Sequence, residues 1–389
     1  MRVDVHLARR MAGIQPFHVM ALLARARELE VQGRDIVHME IGEPDFTTPA
    51  PVVAVAQRAL AEGRTHYTPA LGLPELREAI ADHYRERHGV EVPTRRIVVT
   101  PGASGALLLA LAVLVDAGER VLMTDPGYPC NRHFVRLVEG EAVTVPVTAA
   151  DGFQLTPDHV AAHWDARTVA AMVATPSNPT GTVLGRETLA ALAAAVEERG
   201  GRLLVDEIYH GLAYEGELPT ALGVSDELFV INSFSKYFCM TGWRLGWLVA
   251  PEAYVAEVEK LAQNLFIAPP TLSQYAALAA FSGENIAILE ERRTEFARRR
   301  DFLLPALRRL GFQVPVEPRG AFYIYADCSA HTNDSYGLAQ DLLEGAGVAV
   351  TPGIDFGSFG AVEHMRFAYT TSMERLEEGV RRLGRFLGV

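Results

Sequence analysis

The segment RIVVTPGASG, residues 96–105, runs from a short β-rich stretch through a Pro-Gly turn into a long apolar stretch. Similar β-rich runs, separated by stretches with helical periodicity, recur at residues 120–123, 169–173, 202–205, 228–231 and 245–249. This alternation predicts successive βαβ units. Because the strand runs are continuously apolar, they predict an α/β fold with a mainly parallel sheet and helices on both of its faces.

The pattern changes beyond about residue 285, where it predicts a smaller α+β domain. A charged helix, a strand, a further helix and an amphipathic helix are predicted, in that order, at residues 290–304, 321–326, 336–344 and from 373 onward. The first 45 residues hold one amphipathic helix, at 21–32, and we expect them to pack with this second domain. Since 389 residues are many for one core, we predict a large domain of residues 46–285 and a small domain of residues 1–45 and 286–389.

Composition excludes several classes of protein. The chain has 36 basic and 48 acidic residues, a net charge of −12, and no block of Lys or Arg that would bind nucleic acid. The 3 cysteines are widely spaced and lack a second Cys or His at ligand spacing, so we expect no metal site, no disulfide framework and a cytoplasmic location. No apolar run reaches the roughly 20 residues needed to span a bilayer, and no export signal is visible, so we expect no membrane contact.

One lysine stands where an open α/β sheet binds ligands. Lys236 closes the segment Ser-Phe-Ser-Lys, residues 233–236, which directly follows the β-rich run 228–231. Ligands of such sheets bind beyond the carboxyl ends of the strands. Lysine forms Schiff bases because its amine loses its proton readily when it is desolvated. Taken alone, a lysine near Ser and Gly is more often a surface residue, so its meaning depends on its neighbours.

An acidic residue ends the preceding strand run. Asp206 follows residues 202–205 and begins the segment Asp-Glu-Ile-Tyr. A carboxylate at this place can keep a pyridinium nitrogen protonated, which lets a pyridine ring act as an electron sink. The alternatives are a helix N-cap for Asp206 and a packed aromatic side chain for Tyr209.

Two further turns offer polar groups at strand ends. TPSNPTG, residues 175–181, contains two prolines and a glycine, so the turn is stiff and can hold the Asn178 amide in one orientation. PGASG, residues 101–105, places free backbone N–H groups and the Ser104 hydroxyl at a helix N-terminus, which is a ready anion site. Either turn alone could equally be a connection without a ligand.

Together these segments resemble the fold-type I, class I/II aminotransferases over essentially the whole chain. The resemblance implies pyridoxal 5′-phosphate as the cofactor, bound in the large domain, with Lys236 holding it as a Schiff base and shuttling the proton. It implies that Asp206 pairs with the pyridine nitrogen and that Tyr128 stacks on the ring. It also implies that Asn178 and Tyr209 hydrogen-bond the ring hydroxyl. Lys236, Asp206 and Tyr209 are therefore the expected catalytic residues.

The same resemblance implies the remaining cofactor contacts and a homodimer. The phosphate would be held by backbone and side-chain donors of Ala103, Ser104, Ser233, Ser235 and Arg244. Arginine is well suited to this because its guanidinium matches phosphate geometry. Tyr67, in the segment HYTPALG, matches the family tyrosine that reaches the phosphate of the neighbouring subunit.

Arg366, Gly42 and Asn178 are the substrate-binding residues that the resemblance implies. Arg366, in the segment HMRFA, matches the family arginine that grips the substrate α-carboxylate. Gly42, in the segment IGEP, matches a loop whose backbone approaches the substrate. No clear motif supplies a second arginine for a distal carboxylate. Arg132 is a candidate, although a solvated helix charge is the simpler interpretation, and we expect neutral or aromatic donors with 2-oxoglutarate or pyruvate as acceptor.

The resemblance implies transfer of an amino group from an L-amino acid to a 2-oxo acid in two half-reactions. An alternative is a C–S lyase, or a relative of aminocyclopropane-carboxylate synthase, with the same cofactor and fold. A more distant alternative is the non-catalytic, cofactor-binding half of certain transcription regulators. Those proteins carry a DNA-binding domain ahead of this fold, whereas about 45 residues without a basic recognition helix precede it here.

Overall fold

The structure is a computed structural model of the chain and describes residues 5–14, 16–216 and 218–389. Its strands are β1 (Val37–His38), β2 (Ile97–Thr100), β3 (Arg120–Asp125), β4 (Glu141–Pro146), β5 (Thr168–Ala174), β6 (Arg202–Asp206), β7 (Phe229–Ser233), β8 (Gly246–Val249), β9 (Tyr323–Asp327), β10 (Val348–Ala349), β11 (Thr351–Pro352) and β12 (His364–Ala368). Its α-helices are α1 (His18–Val31), α2 (Ala50–Ala61), α3 (Pro74–His88), α4 (Gly102–Leu114), α5 (Pro129–Leu137), α6 (Pro157–His163), α7 (Arg186–Glu197), α8 (Val255–Leu265), α9 (Thr271–Ala277), α10 (Gly283–Arg309), α11 (Ser335–Asp341) and α12 (Met373–Leu387).

Seven strands form the central sheet, in the order β2-β8-β7-β6-β5-β3-β4. The pairs from β4 to β7 are parallel, and β8 runs antiparallel to both of its neighbours. The expected mainly parallel sheet is therefore confirmed, and each predicted strand run forms a strand. The antiparallel direction of β8 was not predicted. It follows from the connection between β7 and β8, which holds a short 3₁₀ turn rather than the helix of a crossover.

The sheet is buried on both faces. All residues of β7 and β8 are buried. Neighbouring residues of β2 belong to different apolar clusters, with Ile97 and Val99 in one and Val98 in the other. Since successive side chains of a strand point to opposite faces, the two clusters lie on the two sides of the sheet. This arrangement explains why the strand runs are continuously apolar.

A second, three-stranded antiparallel sheet follows in the order β11-β12-β9. The charged helix predicted at 290–304 is the middle of α10, and the helix predicted at 336–344 is α11 followed by a π turn at Leu342–Ala346. Near the N-terminus β1 pairs in parallel with β10, with Val37 opposite Val348. The predicted domain boundaries remain a prediction, and residues 1–4 and 15 of the predicted small domain lie outside the described residues.

Helix α1 begins three residues earlier than the sequence pattern predicted. Its first backbone N–H groups, those of His18 and Val19, donate to the Asp355 carboxylate at 2.8 Å each. Asp355 thus satisfies donors that have no partner within the helix. Since this acceptor is 337 positions away from His18, the local pattern could not reveal where the helix starts. In the part of the chain that the structure describes, no helix is both long and apolar enough to cross a membrane.

Candidate active site

A cavity of about 570 Å³ opens at the carboxyl ends of the parallel strands. Eleven of the predicted site residues line it: Gly42, Ala103, Ser104, Tyr128, Asn178, Asp206, Tyr209, Ser235, Lys236, Arg244 and Arg366. Two predicted residues, Ser233 and Tyr67, are not part of the wall. Three of the predicted side chains follow or end neighbouring strands: Asn178 comes after β5, Asp206 ends β6, and Lys236 comes after β7.

Lys236 is partly buried, and its Nζ donates to the Gly42 carbonyl oxygen at 2.7 Å. The amine lies 5.8 Å from the ring centroid of Tyr209 and 5.9 Å from that of Phe322. Burial lowers the pKa of Lys236 to about 8, and the nearby guanidinium of Arg366 acts in the same direction. An appreciable fraction of the amine is therefore neutral near neutral pH, which is the form that attacks a carbonyl carbon.

Asp206 is the last residue of β6 and is 5% exposed. Its carboxylate accepts a hydrogen bond from the Ile208 backbone N–H at 3.0 Å. Burial raises the pKa of Asp206 to about 6, so the ionised form has little stabilisation from the protein alone. A positively charged N–H in the cavity would stabilise that ionised form. No α-helix begins at Asp206, so its place differs from the helix N-cap alternative.

Arg366 is fixed from one side and is 5% exposed. Its Nη1 donates to the Asn178 side-chain oxygen at 3.0 Å, and its Nη2 donates to the Glu40 backbone oxygen at 2.7 Å and to the Thr351 hydroxyl at 3.2 Å. The guanidinium carbon lies 4.2 Å from the Tyr323 ring centroid. The buried Nε has no hydrogen-bond partner among the described residues. Nη1 has a second N–H that makes no hydrogen bond among the described residues, so the guanidinium has a donor left for an anionic ligand.

Comparison with known proteins agrees with this geometry. Residues 34–383 match the family model described as aminotransferase class I and II. The chain is 42% identical to the valine–pyruvate aminotransferase of Mycobacterium tuberculosis, with 97% of each protein covered. It is 39% identical to the aspartate/prephenate aminotransferase of Thermus thermophilus, with 98% of this chain and 99% of the relative covered.

Solved structures are similar over the same length. The crystal structure of an aminotransferase from Mycobacterium tuberculosis superimposes with a TM-score of 0.95 at 41% identity and covers 99% of this chain and 100% of its own. This chain belongs to the class I and II aminotransferases. The aminotransferase is pyridoxal-phosphate-dependent, as the resemblance implied.

The wall of the aminotransferase cavity fits this cofactor. The N-terminus of α4 and the Arg244 side chain converge so closely that a Cβ on Gly102 would lie 2.7 Å from Arg244 Nη2. Glycine at this position therefore leaves room for backbone N–H groups and the guanidinium to face one anion, such as a phosphate. The buried carboxylate of Asp206 and the amine of Lys236 are the partners that a pyridinium nitrogen and an aldehyde carbon require.

Ser233 and Ser235 occupy different layers of the aminotransferase site. Ser235 lines the cavity, whereas Ser233 is 1% exposed. The Ser233 hydroxyl lies 2.9 Å from the Ser235 hydroxyl and accepts from the Ser235 backbone N–H at 3.0 Å. In this structure Ser233 therefore does not line the cavity but orients Ser235, which does, through these hydrogen bonds. Direct contact of Ser233 with the phosphate remains a prediction.

Tyr67 and Tyr128 are also placed differently from each other. Tyr128 lines the cavity, in accordance with a side chain that can stack on a ring. Tyr67 is 80% exposed and is not among the residues that line this chain's own cavity. Its predicted reach into a neighbouring subunit remains a prediction, since a single chain holds only its own half of such a contact.

Several wall residues were missed by the sequence analysis. The Tyr323 hydroxyl lies 2.8 Å from the Tyr209 hydroxyl, and Tyr323 also packs on Arg366. Glu40, Asp355 and Phe356 line the same cavity. Glu40 carried one usable signal, because it is the charged residue in the otherwise apolar run Met-Glu-Ile before Gly42. Tyr323 and Phe356 carried none, because an aromatic residue in a strand or loop is most often part of the core.

Proposed function

We propose that this aminotransferase transfers the amino group of an L-amino acid to a 2-oxo acid, with Lys236 as the residue that binds the cofactor and moves the proton. The observation that carries this assignment is the meeting of Lys236, Asp206 and Arg366 on one cavity wall. Each has the chemical property that its role requires: an amine with a lowered pKa, a buried carboxylate and a buried guanidinium with a free N–H on Nη1.

Bound pyridoxal phosphate supplies an electron-withdrawing ring that stabilises negative charge at the substrate Cα. The carboxylate of Asp206 holds the proton on the ring nitrogen, because its burial makes a cationic partner favourable there. Tyr209 and Asn178 would donate hydrogen bonds to the ring hydroxyl. The Tyr209 hydroxyl is positioned for this by Tyr323, 2.8 Å away.

Lys236 acts as the base once the substrate amine has taken its place. Its Nζ removes the proton from the substrate Cα. It then returns a proton to the carbon that lies on the other side of the transferred nitrogen. The lowered pKa suits this exchange, because a general base works best when its pKa lies near the working pH. The Gly42 carbonyl oxygen, 2.7 Å from Nζ, gives the released amine a fixed position within the cavity.

Arg366 and Asn178 orient the substrate α-carboxylate. The three hydrogen bonds that Nη1 and Nη2 make with the protein hold the guanidinium plane in place. The second N–H of Nη1, which makes no hydrogen bond among the described residues, can then donate to a carboxylate oxygen. This arrangement selects substrates that carry a carboxylate next to the amine.

The walls that would face the substrate side chain are largely apolar. They include Phe17, Val19, Met20 and Leu23 from the N-terminal segment. Ile41, which directly precedes Gly42, also lines the cavity. Such a surface favours a donor with a neutral side chain. The valine–pyruvate specificity in the name of the relative from Mycobacterium tuberculosis supports the same substrate class.

A homodimer in the cytoplasm is the proposed state of the enzyme. An aromatic side chain as exposed as that of Tyr67, at 80%, is typical of a contact surface. Cys130, Cys239 and Cys328 are unpaired, as thiols are in a reducing compartment.

The visible absorbance of the purified enzyme with pyridoxal phosphate tests the proposal. A single amino acid added without an acceptor should convert the band of the lysine-linked cofactor to that of its amine form, and a 2-oxo acid should restore it. Release of ammonia during the first step would instead indicate a lyase. An enzyme that gives no band at all would contradict the assignment of Lys236.

A further inference from the structure

Two buried tyrosine hydroxyls form a pair in the wall of the cavity. The hydroxyl oxygens of Tyr209 and Tyr323 lie 2.8 Å apart, and the two residues are 4% and 1% exposed. Neither hydroxyl has another hydrogen-bond partner among the described residues. Tyr209 follows β6 of the central sheet and Tyr323 begins β9 of the three-stranded sheet, so the pair joins the two sheets at the cavity.

Both hydroxyls of this pair carry a proton. Burial raises the pKa of Tyr209 well above its ordinary value and also raises the pKa of Tyr323. The pair therefore has two protons to place but only one hydrogen bond between its members. Since a buried hydroxyl proton without an acceptor is unfavourable, the second proton needs an acceptor elsewhere.

One arrangement gives both protons an acceptor. If Tyr209 donates to the ring hydroxyl of the cofactor, as in the proposed function, its oxygen is free to accept the proton of Tyr323. In the reverse arrangement Tyr209 donates to Tyr323. The Tyr323 proton then has no acceptor among the described residues, and the ring hydroxyl loses the Tyr209 donor. The first arrangement also places two hydrogen bonds in series, which strengthens both of them.

The surroundings of Tyr323 hold its hydroxyl at Tyr209. The guanidinium carbon of Arg366 lies 4.2 Å from the Tyr323 ring centroid. A Cβ added to Gly42 would lie 2.5 Å from the Tyr323 hydroxyl oxygen, so the Gly42 backbone packs closely against that hydroxyl. The Gly42 carbonyl oxygen in turn accepts from Lys236 Nζ at 2.7 Å. Tyr323 thus contacts both the groups proposed to bind the cofactor and the guanidinium proposed to bind the substrate.

We infer that Tyr323 is a positioning residue whose hydroxyl donates to the Tyr209 oxygen and thereby directs the Tyr209 proton to the ring hydroxyl of the bound cofactor. This inference rests on the proposed function. The hydroxyl of Tyr323 acts through Tyr209, whereas its ring packs on Arg366. The two contributions can therefore be separated by removal of one oxygen atom.

The direction of this hydrogen bond has a measurable consequence. A donor to the ring oxygen stabilises the negative charge of that oxygen, which is no longer offset once the neighbouring Lys236-linked nitrogen has lost its proton. The donor therefore lowers the pKa of that nitrogen. Removal of the Tyr323 hydroxyl should weaken the Tyr209 donor and raise this pKa. In the reverse arrangement, removal would release the Tyr209 proton to the ring oxygen and lower the pKa.

The test is a pH titration of the visible absorbance of the enzyme loaded with pyridoxal phosphate. Tyr323→Phe keeps the ring beside Arg366 and removes only the hydroxyl. We expect it to raise the pH midpoint of the absorbance change by about half a pH unit or more. KM for the amino donor should stay within about twofold of its wild-type value, because the contact with Arg366 remains.

Tyr325→Phe is the matched control, because it removes the same atom from the same strand. Tyr325 is 4% exposed, but it does not line the cavity, and its hydroxyl makes no hydrogen bond among the described residues. The midpoint should therefore stay at its wild-type value. Tyr209→Phe should raise the midpoint, and addition of Tyr323→Phe to that variant should cause no further shift, because Tyr323 acts through Tyr209.

The outcomes separate this inference from the proposed function. A wild-type enzyme without a cofactor band, or one that converts no amino acid, would contradict the proposed function itself. In a functional enzyme, an unchanged or lower midpoint in Tyr323→Phe would overturn the role of Tyr323. An equal upward shift when Tyr323→Phe is added to Tyr209→Phe would overturn it as well.

A second variant keeps the inference testable if Tyr323→Phe binds no cofactor. Gly42→Ala would displace the Tyr323 hydroxyl, since the added Cβ would lie 2.5 Å from it. It should raise the midpoint in the same direction, and an unchanged or lower midpoint would again overturn the role of Tyr323.

Discussion

Two halves of the cavity differ in how the chain builds them. The cofactor half, defined by Asn178, Asp206 and Lys236, stands at the ends of three neighbouring parallel strands. The substrate half, defined by α1, Glu40 and Asp355, depends on contacts between segments that are distant in sequence, such as the 337 positions that separate His18 from Asp355. The first half is encoded locally, and in the proposed function it carries the chemistry. The second half is assembled by the tertiary fold, and in the proposed function it selects the substrate.

The largest effect is expected from a substitution that removes the carboxylate of Asp206 from the cofactor half. Asp206→Ala should lower kcat about a thousandfold, because the ring nitrogen loses the carboxylate that keeps it protonated. Steady-state kinetics with a neutral donor would measure this. Glu207→Gln is the matched control: Glu207 is also buried, but it accepts from the Ala221 backbone N–H at 2.7 Å and the Thr220 hydroxyl, so it should affect stability and leave kcat nearly unchanged.

Arg366→Lys should affect substrate binding and leave cofactor binding unchanged. It should raise KM for the amino donor about a hundredfold, since a lysine cannot make the forked hydrogen bonds that a carboxylate accepts. The cofactor absorbance should stay at its wild-type position. Arg132→Lys, made outside the cavity wall, should change KM by less than about twofold. A large increase of KM for dicarboxylic substrates in Arg132→Lys would contradict the account of the pocket.

Asp355→Ala should disturb only the substrate half, and by less. Without the carboxylate, the N–H groups of His18 and Val19 lose their acceptor and the start of α1 loosens. We expect the free energy of unfolding to fall by about 1–2 kcal/mol and KM for the donor to rise about tenfold, with cofactor affinity unchanged. Denaturation of the apo- and holoenzyme, together with initial rates, would show whether the two halves are in fact independent.

The smallest expected effect concerns the stability of the His38–Glu40 pair. The pKa of His38 is about 9 in the folded chain against 6.5 in the unfolded reference, so the native state binds the proton more tightly. The resulting stabilisation is fully present below pH 6.5 and is lost as the pH rises through 9. It amounts to about 1 kcal/mol or less, because the imidazole is partly exposed and solvent screens the pair. In Glu40→Gln this pH dependence should largely disappear, and an unchanged unfolding curve between these pH values would contradict the pairing.

The same division describes what the sequence could predict. The strands, the mainly parallel sheet and the cavity-lining positions of Lys236, Asp206 and Asn178 follow from short segments at strand ends. The direction of β8 and the start of α1 do not, because each depends on a partner elsewhere in the chain. Tyr323 was missed for the same reason, because only the fold brings Tyr209 and Arg366 to it.

The assignment of Lys236 can be tested directly because the sequence contains only two lysines, Lys236 and Lys260. The enzyme would be incubated with pyridoxal phosphate, reduced with borohydride and digested, and the labelled peptide identified by mass spectrometry. The account predicts a stoichiometric label on Lys236, loss of both label and turnover in Lys236→Ala, and unchanged activity in Lys260→Ala. A label on Lys260, or transamination retained by Lys236→Ala, would contradict it.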